Sequence, residues 1–168
     1  MKAVIISTQP KWCELIASGK KTVEVRKTKP KLETPFKVYI YCTKDNFKSI
    51  FQEKPYLMHN RQICNSKVIG EFVCDCIISH CEMANADIAE QQGCIKREKL
   101  FEYANGKELY GWHISDLVIY DKPKELSEFY NYDTTYNNSF GWAFSEEEKR
   151  TYLKRPPQSW CYVEAVSV

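Results

Sequence analysis

At 168 residues, with 43% hydrophobic and 14% aromatic content, the chain carries too much core-forming surface for a disordered protein and suits one domain. No apolar run approaches the ~20 residues that cross a bilayer, and Met1 to Ile6 turns polar too early for a secretion signal. A cytoplasmic protein without membrane attachment is therefore expected. The net charge of +2 selects no partner, and the eight cysteines read as small buried hydrophobes rather than as disulfides.

Ala3 to Ser7 is the first expected strand. Pro10 suits a first helical position, Trp12, Leu15 and Ile16 recur at helical spacing, and Gly19 sits where a helix ends. Gly19 to Arg26 then reads as a strand. Alternation places Thr22, Glu24 and Arg26 on one face and Val23 and Val25 on the core face, with Lys20 and Lys21 at the entrance. From Lys20 to Lys37, seven basic residues (Lys20, Lys21, Arg26, Lys27, Lys29, Lys31, Lys37) meet two acidic ones (Glu24, Glu33). That excess is either a phosphate-attracting patch or a solvated loop. Phe36 to Cys42 alternates as a half-buried strand with Tyr39 and Tyr41 outward.

Residues 44–66 read as an insertion or long connection. Val68 to Ser79 is the longest strand signal, with Gly70 marking a bulge or close approach and Cys74 and Cys76 sharing its core face. A metal set of Cys74, Cys76, His80 and Cys81 is conceivable, but neighbours along a strand lack zinc-ligand spacing, so no metal and no cofactor is expected. Ala84 to Gln92 and Ile95 to Tyr103 have helical character, and Asn105-Gly106 marks a turn. Tyr110 to Tyr120 reads as one strand closed by Asp121-Lys122-Pro123, and Lys124 to Tyr130 as a short helix. Asn131 to Gly141 reads as loop. Ser145 and Glu148 fit a capping box for a helix reaching about Leu153, and Trp160 to Val168 is the closing strand. The whole suits a single α+β domain over 1–168, a mixed β-barrel with short peripheral helices.

The row of Lys21, Thr22, Glu24 and Arg26 supports three chemistries. In binding, Lys21 and Arg26 hold phosphates while Glu24 accepts from a base amine or orients Arg26. In catalysis, Lys21 acts as base or nucleophile once its pKa falls. In bracing, Glu24 and Arg26 pair and tie strands together. No G-x-S-x-G, H-E-x-x-H or P-loop is present, and the three histidines, His59, His80 and His113, are scattered.

Gly19-x-Lys21-x-x-Glu24-x-Arg26 resembles the G-x-K-x-x-E-x-R signature of ASCH domains, members of the PUA-like β-barrel superfamily. The lead-in Gln9-Pro10-x-Trp12 with Glu14-Leu15-Ile16 is similar too, as are Val68 to Phe72, Tyr110 to Ser115 and Gln158 to Val163. The resemblance implies a PUA-like barrel and a cleft beside the motif that binds RNA or a nucleotide-like small molecule. The expected ligand-binding residues are Gln9, Lys21, Glu24 and Arg26 of the motif and its lead-in, with Lys27 and Lys29 from the basic stretch as a rim. Some ASCH proteins are ribonucleases, and one branch hydrolyses amides of acylated cytidines with a lysine and a threonine of the motif and a glutamate from elsewhere. If this chain is an enzyme, Lys21, Thr22 and Glu24 carry the chemistry, and Glu71 is a candidate for the remote glutamate. The hydrolysing branch has threonine at the position of Glu24, which predicts no turnover of acylated cytidines.

Overall fold

The computed structural model describes residues 1–44, 64–83, 87–132 and 151–166. Its strands are β1 (Lys2–Thr8), β2 (Val23–Arg26), β3 (Phe36–Cys42), β4 (Lys67–Cys74), β5 (Ile77–Ile78), β6 (Tyr110–His113), β7 (Ser115–Lys124) and β8 (Trp160–Glu164). Short helices α1 (Pro10–Ala17), α2 (His80–Met83) and α3 (Arg97–Ala104) accompany them. Five strands form one sheet in the order β7-β4-β3-β1-β8, and three form another, β2-β6-β5. The fold is thus α+β, with eight strands in two sheets, and the pairing among the described strands does not close into a ring. No described helix is long and apolar enough to cross a membrane.

Apolar runs explain the large sheet. Ala3 to Ile6 is buried without interruption, the pattern of a strand covered on both faces. Beside it, β3 pairs parallel to β1 and antiparallel to β4. Val4, Ile6, Val38, Ile40, Phe72 and Trp112 fill the core on one side; Ala3, Ile5, Tyr39, Tyr41, Phe129 and Val163 fill it on the other. Tyr39 and Tyr41 are therefore buried, not outward. The segment around Phe129 covers them, with the Phe129 ring 4.8 Å from that of Tyr39. The Val166 N–H donates to the Tyr39 hydroxyl at 2.8 Å.

Gly70 acts as its position suggests. The register slips between Ile40 and Tyr41, and a Cβ on Gly70 would meet the Val118 carbonyl oxygen at 2.4 Å. The expected strand beyond it is shorter, however. It ends at Cys74, which is buried, whereas Cys76 is exposed, so the two thiols do not share a core face. Among the described residues no group of three or more His, Cys, Asp and Glu side chains could hold a metal ion.

The single strand expected over Tyr110 to Tyr120 is two strands in different sheets. The chain breaks at Ile114, whose N–H donates to the Thr22 carbonyl at 2.8 Å, and Asp116, inside β7, has φ of 45° where the register against β4 shifts. β7 also continues through Pro123 to Lys124. It lies at a sheet edge, where a missing N–H costs no ladder bond. The helix expected at Lys124 to Tyr130 is one 3-10 turn, Leu126–Glu128, closed by a reciprocal capping box between Glu125 and Glu128. Of the helical segment expected at Ala84 to Gln92, Asp87–Gln92 forms a π-helical turn, α2 precedes it, and residues 84–86 lie outside the described residues. α3 ends on Asn105 in the left-handed conformation. The expected Ser145–Glu148 capping box, most of the Asn131 to Gly141 loop and most of the 44–66 insertion lie outside the described residues.

Candidate functional site

The site begins with how α1 hands over to β2. Gly19 has φ of +72°, a conformation glycine adopts cheaply, and the Lys21 N–H then donates back to the Leu15 carbonyl at 2.9 Å. This folds Lys21 under the helix. Its side chain is 1% exposed, not a surface lysine at a strand entrance. The ammonium donates to the Gly93 carbonyl at 2.7 Å, lies 3.6 Å from the Glu24 carboxylate and sits 5.1 Å from the centre of the Trp12 ring.

Strand alternation holds, but both faces of β2 are interior. Val23 and Val25 pack with Met83, Ala89, Leu100 and Leu109. Glu24 and Arg26, only 5% and 7% exposed, turn into the gap between the two sheets. Glu24 Oε1 lies 2.8 Å from Arg26 Nη2. The same Nη2 donates to the Ser7 carbonyl at 2.9 Å and to Thr8 Oγ1 at 3.2 Å. Nη1 donates to the Ser159 carbonyl at 3.1 Å. One guanidinium thus ties β2 to the end of β1 and to the residue that leads into β8. Bracing and site formation are joined in Arg26. Its commitment to backbone carbonyls leaves less of it for a phosphate than the sequence suggests.

These groups floor a cleft of about 530 Å³. Ser7, Thr8 and Gln9 form one wall, Trp12 and Lys11 of α1 another, and Lys99 and Tyr103 of α3 a third. Gln9, Lys21, Glu24 and Arg26 therefore share one cleft, as the motif implies. Thr22, Lys27, Lys29 and Glu71 are not among its lining residues. Thr22 is fixed by its backbone, its N–H donating to the Gln92 carbonyl at 2.9 Å. The Lys27 ammonium lies 4.7 Å from the centre of the Tyr103 ring, at the rim, while Lys29 lies over Tyr110. Lys37 pairs with Glu71 at 2.7 Å. Of the basic residues between Lys20 and Lys37, Lys21 and Arg26 thus line the cleft and Lys27 lies at its rim, while Lys29 and Lys37 are held by Tyr110 and Glu71.

The electrostatics follow from burial. Desolvation lowers the pKa of Lys21 from its ordinary value, against the opposing pull of Glu24. Desolvation raises that of Tyr103, so its ring is a neutral stacking face. Cys13, beneath the cleft, is pushed well up by burial and is no nucleophile. What remains is a buried carboxylate flanked by two cations, half-buried Trp12 and partly exposed Tyr103 as ring faces, and exposed Lys11 and Lys99 at the mouth.

The family model of the ASCH domain matches residues 6–151. The chain belongs to the ASCH domain family. The crystal structure of an ASCH protein from Zymomonas mobilis is similar, with a TM-score of 0.60, 19% identity, and coverage of 96% of this chain and 87% of that one. A tyrosine-to-phenylalanine variant of the Zymomonas mobilis protein matches with a TM-score of 0.57 at 19% identity, covering 98% and 91%. A serine-to-alanine variant matches at 0.59 and 18%, covering 96% and 88%. At this identity the likeness concerns the fold. No curated protein matches the sequence.

Sequence reasoning about this ASCH domain missed several cleft residues. Tyr103 and Lys99 belong to a helix read for its propensity alone, and the Gly93 carbonyl that holds Lys21 carries no side-chain signal. Ser159 was visible only within the terminal stretch that resembles the family. The helical spacing of Trp12 suggests an apolar stripe, yet Cys13 and Ile16 are the buried pair of α1 and Trp12 faces the cleft.

Proposed function

We propose that this ASCH domain binds RNA or a nucleotide-like ligand in the cleft between α1, β2 and α3. The observation that carries the reading is the buried Glu24 carboxylate on a cleft floor whose walls offer Trp12 and Tyr103 and whose mouth offers Lys11 and Lys99. A base stacks on the aromatic faces, the carboxylate accepts from its N–H groups, and the lysines meet phosphate. Lys27 adds charge at the rim and Gln9 a polar edge. Arg26 acts mainly by holding Glu24 and both sheets in place, and Lys29 contributes only at long range. The two sheets fit this reading as an opened form of the PUA-like barrel. No cofactor is needed. Titration of single-stranded RNA oligonucleotides and nucleoside monophosphates against wild type and Trp12→Ala tests it. Loss of one stacking face should weaken binding by ~1–3 kcal/mol.

A second reading, a small hydrolase acting on modified nucleosides or RNA, is supported by one observation. Burial lowers the pKa of Lys21, the change a lysine needs before it can act as a base or nucleophile. Wild type and Lys21→Met, which keeps most of the buried stem, are incubated with RNA and acylated nucleosides. Turnover that vanishes in the variant makes the protein an enzyme. With acylated cytidines none is expected, because Glu24 brings a second negative charge near the scissile carbonyl.

A further inference from the structure

The cleft floor offers its unfilled hydrogen-bonding capacity in a fixed order. Glu24 Oε1 lies 2.8 Å from Arg26 Nη2. The other oxygen, Oε2, has Lys21 Nζ at 3.6 Å, too far for a full hydrogen bond. Lys21 spends one N–H on the Gly93 carbonyl and keeps donor capacity for an acceptor in the cleft. Arg26 has little left to give. Its Nη2 serves Glu24, the Ser7 carbonyl and Thr8 Oγ1, and its Nη1 serves the Ser159 carbonyl. Arg26 Nε is buried and makes no hydrogen bond to another described residue. Such orphaned groups are rare in a folded interior and point to a floor that a ligand completes.

Taken in order, Oε1, Oε2 and Nζ are acceptor, acceptor and donor. A carboxylate only accepts and an ammonium only donates, so neither a rotated hydroxyl nor a flipped amide can change that order. Its complement is donor, donor, acceptor. Guanine carries this row along one edge, as its N2 amino group, its N1–H and its O6 carbonyl. Cytosine and uracil set at least one acceptor against a carboxylate oxygen in either orientation. Adenine, with one amino group beside one ring nitrogen, fills only one of the two oxygens. Trp12 and Tyr103 line the same cleft and offer their rings to the face of whichever base enters.

We propose that the cleft selects guanine, as a free nucleotide or as a base of single-stranded RNA. This selectivity presupposes nucleotide binding in the cleft and adds to it which base is taken. Glu24 accepts from the N1–H and the N2 amino group, and Lys21 donates to O6. Glu24 and Lys21 are thereby the specificity-determining residues. Arg26 is a positioning residue, because its bond to Oε1 fixes the way the carboxylate faces. Lys11 and Lys99, exposed at the mouth, meet the phosphate.

Isothermal titration of wild type at low salt with guanosine, inosine, adenosine, uridine and cytidine monophosphates tests the order. Inosine lacks only the N2 amino group. The guanosine nucleotide should bind about tenfold more tightly than the inosine one, the worth of one hydrogen bond to a charged group. It should bind about a hundredfold more tightly than the cytidine one, which turns an acceptor toward the buried carboxylate. An oligouridine carrying one guanosine that outcompetes plain oligouridine makes RNA the source of the base, whereas a preference confined to the monophosphates makes it a free nucleotide. Glu24→Gln, whose amide replaces one acceptor by a donor, should cut the preference for guanosine over cytidine by about tenfold or more. If that variant does not melt cooperatively, the wild-type series decides alone. Inosine monophosphate binding as tightly as guanosine monophosphate, or cytidine monophosphate binding at least as tightly, overturns the guanine assignment and leaves nucleotide binding standing. No binding of any of the five or of the RNAs overturns both.

Discussion

Replacing Glu24 by alanine should unfold this protein more readily than any single truncation of an exposed charge. The Glu24 side chain is 7% exposed, and its partners Lys21 and Arg26 are 1% and 8% exposed, so solvent screens the group little. Removing one partner of a buried ion network leaves uncompensated charge at a cost of ~3–5 kcal/mol. For a chain of this length each kcal/mol moves the melting temperature by roughly 2–4 °C. The expected fall is therefore about 6–20 °C. Without Glu24, the burial that already lowers the Lys21 pKa acts unopposed by its main counter-charge. Adding Lys21→Met, which removes one of the stranded cations, should recover part of the loss, so the double variant is more stable than the two single costs summed. Urea unfolding followed by tryptophan fluorescence measures all three variants. A Glu24→Ala cost below ~1 kcal/mol, the range of a surface pair, would refute the argument that this network is buried and coupled.

The remaining expectations concern the opposite face and the large sheet. Burial pushes the Glu71 carboxyl up, but hydrogen bonds from Lys37 and Tyr120 outweigh it and hold the pKa below 4.5. The native state thus binds this proton less readily than the unfolded chain. The stabilisation is present above pH 4.5 and is lost as pH falls through the folded pKa. Tyr120→Phe should flatten that acid limb in stability measured from pH 6 to 2, and an unchanged limb contradicts the assignment. Gly70→Ala places a Cβ 2.4 Å from the Val118 carbonyl oxygen and should cost ~1–3 kcal/mol by overpacking, while Gly106→Ala, with φ of +74° and nothing within 4 Å, is strained by its backbone alone.

Much of the large sheet was legible because its cues are local. The apolar run at Ala3 to Ile6, the glycine stop at Gly19 and the glycine bulge at Gly70 each act within a few residues. The errors came from tertiary context. Tyr39 and Tyr41 alternate like outward residues, yet Phe129 and Leu153, far along the chain, cover them. Tyr110 to Tyr120 keeps one alternation across a change of sheet, and periodicity cannot register the break at Ile114. The site divides the same way. Lys21, Glu24 and Arg26 come together as the motif spacing implies, but their burial depends on Gly93, Ser7, Thr8 and Ser159, which are brought in by distant segments. The dispersal of Lys29 and Lys37 away from the cleft was equally invisible in a count of charges.

The claim that this cleft binds nucleic acid through stacking and phosphate contacts is tested most directly by fluorescence anisotropy of a labelled single-stranded RNA at rising salt. Wild type is compared with a Lys11→Ala/Lys99→Ala variant, whose two exposed lysines at the mouth take no part in the core. The account predicts binding by wild type at low salt that falls steeply as salt rises. It also predicts a weaker complex in the variant with a shallower salt slope, by about 1 for each lysine that meets a phosphate. No binding of RNA, single-stranded DNA or nucleotides at low salt, or binding indifferent to both lysines and to Trp12→Ala, would contradict it.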